Sequence, residues 1–171
     1  MTSQPARIVV AFGDSITAGG NDASGGSYPV MLATRLRDSP QVPAGLSVIN
    51  MGIGGNRLLL DSSGPSGMSR FAKDVLAQSG VTHVIVLMGT NDIGRAAFAG
   101  VPGFPHIASE APTAERITEG LEQLIKQARA KGVKLMIGTV PPFRNTPYWT
   151  QATEAMRGAV NTWIRGRQDV D

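Results

Sequence analysis

The sequence predicts an α/β protein with a doubly wound parallel sheet, and three observations support that fold class. Four short apolar runs recur along the 171-residue chain. Within them, apolar residues do not alternate with polar ones. Segments with apolar residues at helical spacing separate these runs. The patterns therefore alternate in the order β-α-β-α-β-α-β-α, which is typical of a parallel sheet covered by helices on both faces.

The four apolar runs are interpreted as the strands of this sheet. They span Ile8 to Phe12, Leu46 to Met51, Val84 to Met88 and Leu135 to Val140. Strands that are buried on both faces read as nearly continuous apolar runs. We therefore expect all four to lie in one parallel sheet with ligands bound at its carboxyl edge.

Four segments between and after these strands have the apolar spacing of amphipathic helices. The first runs from Tyr28 to Arg37, with Ser27 as its candidate N-cap and Pro29 in its first turn. Thr113 is the candidate N-cap of the third helix, which Gly132 is expected to end. The apolar stripes of the second, third and fourth helices comprise Met68, Phe71, Val75 and Leu76; Ile117, Leu121, Leu124, Ile125 and Ala128; and Ala152, Ala155, Met156, Ala159, Val160, Trp163 and Ile164.

Composition and charge argue against several classes of function. The net charge is +3, but the basic residues are spread along the whole chain, whereas nucleic-acid binding needs them clustered. The chain has no cysteine, which excludes a disulfide framework and a thiolate metal site. No apolar run is long enough to span a bilayer, so no membrane insertion is expected. We expect one domain over residues 1–171 that needs no metal and no cofactor.

Polar or glycine-rich motifs follow the first three strands. Gly-Asp-Ser-Ile, at residues 13–16, could supply a serine nucleophile, although Asp and Ser also cap helices and form turns. Asn-Met-Gly-Ile-Gly-Gly-Asn-Arg, at residues 50–57, could direct backbone N–H groups at an oxyanion or simply form a flexible turn. Gly-Thr-Asn-Asp, at residues 89–92, could donate a carboxamide hydrogen bond or form an Asx-turn. Because parallel strands end at one edge, the three motifs together predict a nucleophile beside an oxyanion hole.

In this order the three motifs resemble the first three conserved blocks of the SGNH (GDSL-type) hydrolases. The resemblance runs from about Arg7 to the C-terminus and implies a flavodoxin-like three-layer α/β/α sandwich with serine esterase activity. It implies that Ser15 is the nucleophile. The backbone N–H groups of Ser15 and Gly55 and the side chain of Asn91 would form the oxyanion hole. Asp14 would brace the site and would not act as the base.

Further side chains near these motifs are predicted to contact substrate. They are Asn56, Arg57, Asp92, His106 and Tyr148. The expected partners are small-molecule or carbohydrate esters with short acyl chains, including acetyl groups, as the resemblance implies. Aromatic residues make up only 5% of the chain, and no long apolar segment resembles a lid, which argues against a long-chain lipase.

The catalytic base that the resemblance implies is missing from the 171 residues. The fourth block of the family is Asp-x-x-His, whose His accepts the serine proton. The chain has two histidines, His83 and His106, and neither follows an Asp by three residues. His83 lies at the start of the third strand and is interpreted as structural. His106, in the loop after Asn91, is expected to line the cleft rather than to act as the base.

We therefore expect a domain that is incomplete at its C-terminus, without its last strand and helix. Without the Asp-x-x-His block the 171-residue form is expected to be weakly active or inactive. The absence of the last strand and helix would also uncover a sheet edge and apolar helix surface, so this form is expected to self-associate. The segment from Met1 to Arg7 has no apolar signal region. The protein is expected either to be cytoplasmic or, as its resemblance to secreted bacterial esterases favours, to be a secreted protein without its signal.

Two alternatives remain open at this point. A non-catalytic ester- or glycan-binding module of the same fold would explain the missing histidine. A flavodoxin-like cofactor or phosphate binder is the other alternative, but the chain lacks both G-x-x-x-x-G-K-[ST] and a G-x-G-x-x-G loop after the first strand.

Overall fold

A four-stranded parallel sheet organises the protein. The computed structural model describes residues 7–19, 26–42, 45–99, 101–102 and 112–170. The strands are β1 (Arg7–Gly13), β2 (Leu46–Gly52), β3 (Val81–Leu87) and β4 (Lys134–Ile137). They lie in the order β2-β1-β3-β4, and every neighbouring pair is parallel. The predicted α/β fold with a parallel sheet is confirmed.

Helices connect the strands and follow the last one. They are α1 (Ser15–Ala18), α2 (Tyr28–Asp38), α3 (Gly67–Phe71), α4 (Thr90–Ala96), α5 (Ala114–Ala130) and α6 (Gln151–Arg165). A π-helical turn, Ala72–Leu76, continues α3. The predicted Thr113 cap is confirmed, since its hydroxyl accepts a hydrogen bond of 3.3 Å from Arg116 N–H. Periodicity did not predict α1 and α4, because each is too short to carry an apolar stripe.

The main core lies between one face of the sheet and helices α3, α5 and α6. Val10 and Phe12 of β1 and Val84 and Val86 of β3 are fully buried on this face. Successive strand residues point to opposite faces, so Val9 and Ile85 lie on the other side. Ile117, Leu121, Leu124, Phe71, Val75, Val160 and Ile164 complete the packing from the helices.

The buried face of α6 differs from the predicted stripe. Ala152, Ala155 and Ala159 are exposed, whereas Thr153 and Asn161 are buried. The physical reason is that α6 also anchors the chain after β4 by hydrogen bonds. For example, Asn161 Oδ1 accepts a hydrogen bond of 2.7 Å from Val140 N–H, and Asn161 Nδ2 donates one of 2.9 Å to Val140 O.

The opposite face of the sheet is only partly covered by α2. A cavity of about 240 Å³ remains beside this helix. It is lined by Val9, Leu32, Leu36, Leu46, His83, Ile85 and Met136. Met136 belongs to the edge strand β4, so the cavity runs from under α2 towards that edge.

Candidate active site

The three predicted motifs leave the sheet side by side. Gly13, the last residue of β1, lies in parallel register with Gly52 of β2 and with Leu87 of β3. Ser15 follows Gly13 by two residues and Asn91 follows Leu87 by four. Because β1 lies between β2 and β3, Ser15 lies between the two segments that carry the predicted oxyanion donors.

Ser15 is exposed at the start of α1. Asp14 caps this helix, because its Oδ1 accepts a hydrogen bond of 2.9 Å from Ile16 N–H. Gly13 allows the tight turn before it, since a Cβ there would lie 2.0 Å from Thr17 Oγ1. The chain thus turns sharply at the sheet edge and leaves the serine on the surface.

Asp14 itself is fully buried beneath that serine. Burial raises the pKa of its carboxyl to about 6, against the lowering effect of the Ile16 hydrogen bond, and the nearby negative charge of Asp92 raises it further. A buried carboxylate that caps α1 has a structural role at this turn.

Glycines shape the segment after β2 in two different ways. A Cβ on Gly52 would lie 2.2 Å from Ala18 N, so this residue lets α1 pack closely against β2. Gly55 adopts a φ of +71°, which favours glycine, and a Cβ there would lie 2.6 Å from Ser63 Oγ. At Gly54 a Cβ would meet nothing within 4 Å. Of the last two glycines, only position 55 has a conformational requirement for that residue.

The carboxamide of Asn91 is bonded at both ends. Its Nδ2 donates a hydrogen bond of 2.9 Å to the backbone oxygen of Asn56. Its Oδ1 accepts one of 3.1 Å from Tyr148 Oη. Because an amide NH₂ group has two donor hydrogens, one remains after the bond to Asn56.

Three residues predicted to contact substrate have buried side chains. Asn56, Arg57 and Asp92 are each at most 2% exposed. Asp92 accepts hydrogen bonds from Leu58 N–H at 2.7 Å and Leu59 N–H at 3.1 Å. The Nε of Arg57 lies 4.0 Å from Asp92 Oδ1. Burial raises the pKa of Asp92, while the two backbone hydrogen bonds and the Arg57 charge lower it. These groups lie beneath the surface.

Arg70 is a structural centre of the site that the sequence did not predict. Its guanidinium donates to Gly13 O at 3.0 Å, Met51 O at 2.9 Å and Asn56 Oδ1 at 3.0 Å. It also lies 4.0 Å from the ring centroid of Phe12. One side chain on α3 thereby links the carboxyl ends of β1 and β2 to the loop after β2. The sequence signal was weak, because a single Arg in a helix is usually solvated.

Of the two histidines, only His83 lies within the described residues. His83 is paired in register with Val9 and Lys134, in the first half of β3, and its Nδ1 lies 2.8 Å from Thr82 Oγ1. It precedes the last residue of β3 by four positions, or about 13 Å of extended strand. His106 lies outside the described residues.

Metal-binding and membrane-spanning features were sought in the described part of the chain. No group of three or more His, Cys, Asp or Glu side chains there could hold a metal ion. No helix in those ranges is long and apolar enough to cross a membrane.

Comparison with known proteins finds one family and a set of similar structures. The profile of the GDSL-like lipase/acylhydrolase family matches residues 11–169. The M. smegmatis aryl esterase is 19% identical, with a TM-score of 0.72 over 94% of this chain and 78% of that one. A catalytic mutant of an acetylxylan esterase from Geobacillus stearothermophilus is 20% identical, with a TM-score of 0.66 over 99% and 76%. The SGNH-hydrolase family esterase AlinE4 is 20% identical, with a TM-score of 0.63 over 99% and 78%. At these identities the similarity is one of fold. No curated protein sequence matches the chain significantly.

Proposed function

The chain belongs to the GDSL-like lipase/acylhydrolase family, and from that premise we propose that it is a carboxylic ester hydrolase with Ser15 as its nucleophile. The observation that carries this proposal is the position of Ser15. It is exposed directly after the central strand β1, and the segments bearing Gly55 and Asn91 leave the sheet on either side of it.

The proposed reaction is acyl transfer in two steps. Ser15 Oγ attacks the ester carbonyl carbon and loses its proton, and the carbonyl oxygen becomes an oxyanion. The C–O bond to the leaving group then breaks, and the alcohol departs with the proton that the serine gave up. Water hydrolyses the acyl-serine that remains, which releases the acid and restores the Ser15 hydroxyl. The N–H groups of Ser15 and Gly55 and the remaining Nδ2 hydrogen of Asn91 are the proposed oxyanion donors.

We assign four buried side chains to the support of these donors. Asp14 holds the turn that presents Ser15, through its hydrogen bond from Ile16 N–H. Asp92 holds the loop after β2 against α4 through its hydrogen bonds from Leu58 and Leu59 and its contact with Arg57. The Asn56 carboxamide holds the same loop through its hydrogen bonds with Arg70 Nε and Pro65 O. Since their partners are protein groups, substrate contact is assigned to the exposed rim rather than to these residues.

The proton of Ser15 needs an acceptor, and the chain offers two histidines, neither of which has an Asp three residues before it. A serine hydroxyl is a weak nucleophile without an adjacent base. We propose that the 171-residue chain reacts slowly with esters, and that its remaining activity comes from the oxyanion donors and substrate binding. His106 is proposed to line the cleft.

The proposed substrates are esters with short acyl chains, including acetyl esters of carbohydrates. The low aromatic content argues against a long-chain lipase, and the chain shares its fold with an acetylxylan esterase and an aryl esterase. A non-catalytic ester- or glycan-binding module is the second candidate, and the lack of an Asp three residues before either histidine favours it.

We also propose that the chain self-associates through the partly covered face of the sheet. The cavity beside α2 is lined mainly by apolar side chains and reaches Met136 on β4. Apolar surface that stays accessible to solvent favours association with another chain. A second copy of the chain is the proposed occupant.

A labelling experiment separates the enzyme from the binding module. The full chain is treated with a fluorophosphonate probe and, in parallel, assayed with p-nitrophenyl acetate. We expect slow labelling and turnover that Ser15→Ala abolishes, while the control Ser79→Ala, at an exposed loop position, leaves both unchanged. Labelling and turnover that survive in Ser15→Ala, or are absent from the wild type, would defeat the esterase proposal.

A further inference from the structure

We propose that Tyr148 is a positioning residue of the oxyanion hole, whose hydroxyl holds the Asn91 carboxamide in its donating orientation. The inference rests on the proposed esterase function. It replaces the direct substrate contact predicted for Tyr148 with an action through Asn91. The two residues are 57 positions apart, and their hydrogen bond joins the chain after β4 to the start of α4.

The carboxamide orientation matters because its two ends have opposite hydrogen-bonding roles. A flipped Asn91 would present an oxygen to the developing oxyanion, and the interaction would become repulsive. The Asn56 carbonyl can only accept, so it selects the NH₂ group at 2.9 Å. Tyr148 Oη restrains the oxygen at the other end, at 3.1 Å. Two contacts at opposite ends define the amide plane and therefore the direction of the remaining N–H.

The surface of α4 is shaped to receive the tyrosine ring. Gly94 and Asn91 are three residues apart and therefore lie on the same face of the helix. A Cβ on Gly94 would lie 2.0 Å from Tyr148 Cδ2, so the ring lies directly on the glycine backbone. Because glycine has no side chain, the tyrosine ring can lie against α4 at position 94. Its hydroxyl then reaches Asn91, which lies one helical turn nearer the start of α4.

Aromatic and backbone contacts fix the tyrosine from the other side. Its ring packs edge-to-face against Phe98 and Phe143, with centroid distances of 6.1 and 6.5 Å. Its backbone oxygen accepts a hydrogen bond of 2.8 Å from Thr153 Oγ1, in the first turn of α6. Its N–H donates to Thr146 Oγ1 at 3.2 Å. The hydroxyl therefore reaches Asn91 from a restrained loop.

The competing interpretation is that Tyr148 only anchors the loop after β4 to α4. Removing the hydroxyl alone separates the two, because Tyr148→Phe keeps the ring, the glycine contact and the aromatic packing. A purely anchoring role would leave the Asn91 side chain unaffected by this change. A positioning role would alter that side chain and the step that depends on it.

The first test needs no turnover. In ¹⁵N-labelled full-length chain, the side-chain NH₂ signals of Asn91 are assigned by their loss in Asn91→Asp. We expect Tyr148→Phe to shift or broaden this pair, while the backbone amide signals of α5 and the midpoint of thermal unfolding stay close to wild type. Unchanged Asn91 side-chain signals in a folded Tyr148→Phe protein would overturn the inference, whether or not the protein is an esterase.

The second test measures phosphonylation of Ser15 by the fluorophosphonate probe. We expect Tyr148→Phe to lower the limiting labelling rate about tenfold, less than the loss of a whole oxyanion donor, without changing the probe concentration at half-maximal rate. Gly94→Ala, which displaces the ring, should have a similar effect. Ser79→Ala, at an exposed loop position, should have none.

A double-mutant cycle shows whether the effect passes through Asn91. In an Asn91→Ala background, Tyr148→Phe should lower the limiting rate no further. An equal drop in both backgrounds would assign the tyrosine a role independent of Asn91 and overturn the inference. If wild type shows no Ser15-dependent labelling, the esterase proposal fails, and the NMR measurement still decides whether Tyr148 orients Asn91.

Discussion

The carboxylate of Asp92 accepts a hydrogen bond of 2.7 Å from the backbone N–H of Leu58, which lies 34 residues earlier in the chain. Its other oxygen accepts from Leu59 N–H at 3.1 Å. Asp92 directly follows Asn91, so these two bonds hold the loop after β2 against the helix turn that carries the proposed oxyanion donor. The stability of the fold and the geometry of the site should therefore depend on the same carboxylate.

We expect Asp92→Asn to lower the free energy of unfolding by about 1 to 3 kcal/mol, because an amide has one acceptor oxygen in place of the two that accept from Leu58 and Leu59 N–H. Urea unfolding measures this loss. Asp38→Asn is the matched control, since that carboxyl is exposed and pairs with the exposed Arg37. Equal stabilities of Asp92→Asn and wild type would contradict the bracing role.

The pKa of about 6 for Asp14 predicts a pH-dependent stability. This value lies above the ordinary 3.8, so the folded protein binds the proton more tightly than the unfolded chain, and the free energy of unfolding falls as pH rises between the two values. Asp14→Asn keeps an acceptor for Ile16 N–H but cannot ionise. We expect its stability relative to wild type to increase by about 2 to 3 kcal/mol between pH 4 and pH 7.

Urea unfolding of both proteins across this pH range measures the difference. Because the other titrating groups are common to the two proteins, the change reports the titration of Asp14 together with its charge coupling to Asp92. A constant difference across the range would show that the carboxyl titrates normally and would remove the support for its burial-raised pKa.

Arg70→Lys should destabilise the protein although it keeps the positive charge. The guanidinium reaches three acceptors on different segments, and an ammonium on a lysine stem cannot reproduce that geometry. We expect a loss of about 2 to 3 kcal/mol in the free energy of unfolding and slower labelling of Ser15. The control is Arg37→Lys, whose side chain is 71% exposed. If both variants unfold at the same urea concentration as wild type, Arg70 does not link the strand ends energetically.

Added imidazole should accelerate the reaction of the chain with p-nitrophenyl acetate. If the slow step is removal of the Ser15 proton, a diffusible base can act as the proton acceptor. We expect an increase of several-fold that saturates with imidazole and disappears in Ser15→Ala, after subtraction of the uncatalysed reaction.

The histidine variants provide the controls for this rescue. His106→Ala and His83→Ala should each leave the imidazole-dependent rate within about twofold of wild type. A basal activity that is already high, that imidazole does not change and that His106→Ala abolishes would identify His106 as the base.

Self-association should depend on the partly covered face of the sheet. Met136→Lys places a charge on the apolar lining of the cavity beside α2 and should shift the chain towards monomer. Sedimentation velocity over a range of concentrations measures the shift. Ala152→Lys, at an exposed position on α6, should leave the distribution unchanged. A wild-type chain that remains monomeric at all concentrations would refute the proposed second copy.

The sequence by itself determined the fold class and the approximate position of each long element. Apolar runs predicted all four strands, although β3 begins three residues earlier than predicted and β4 ends at Ile137 rather than Val140. Thr113 and Gly132 predicted the limits of α5, where Gly132 adopts a φ of +66°. These features are local, since periodicity and caps involve residues within about four positions of each other.

Only the tertiary structure decided which polar residues lie beneath the site and which lie on its surface. Asn56, Arg57 and Asp92 are buried, Arg70 reaches Gly13 across 57 positions, and Tyr148 reaches Asn91 across the same separation. These contacts depend on strand register, on the packing of α3 and α6, and on the space left by Gly94. No local pattern encodes them, because a hydrogen bond between distant segments exists only after the core has brought those segments together.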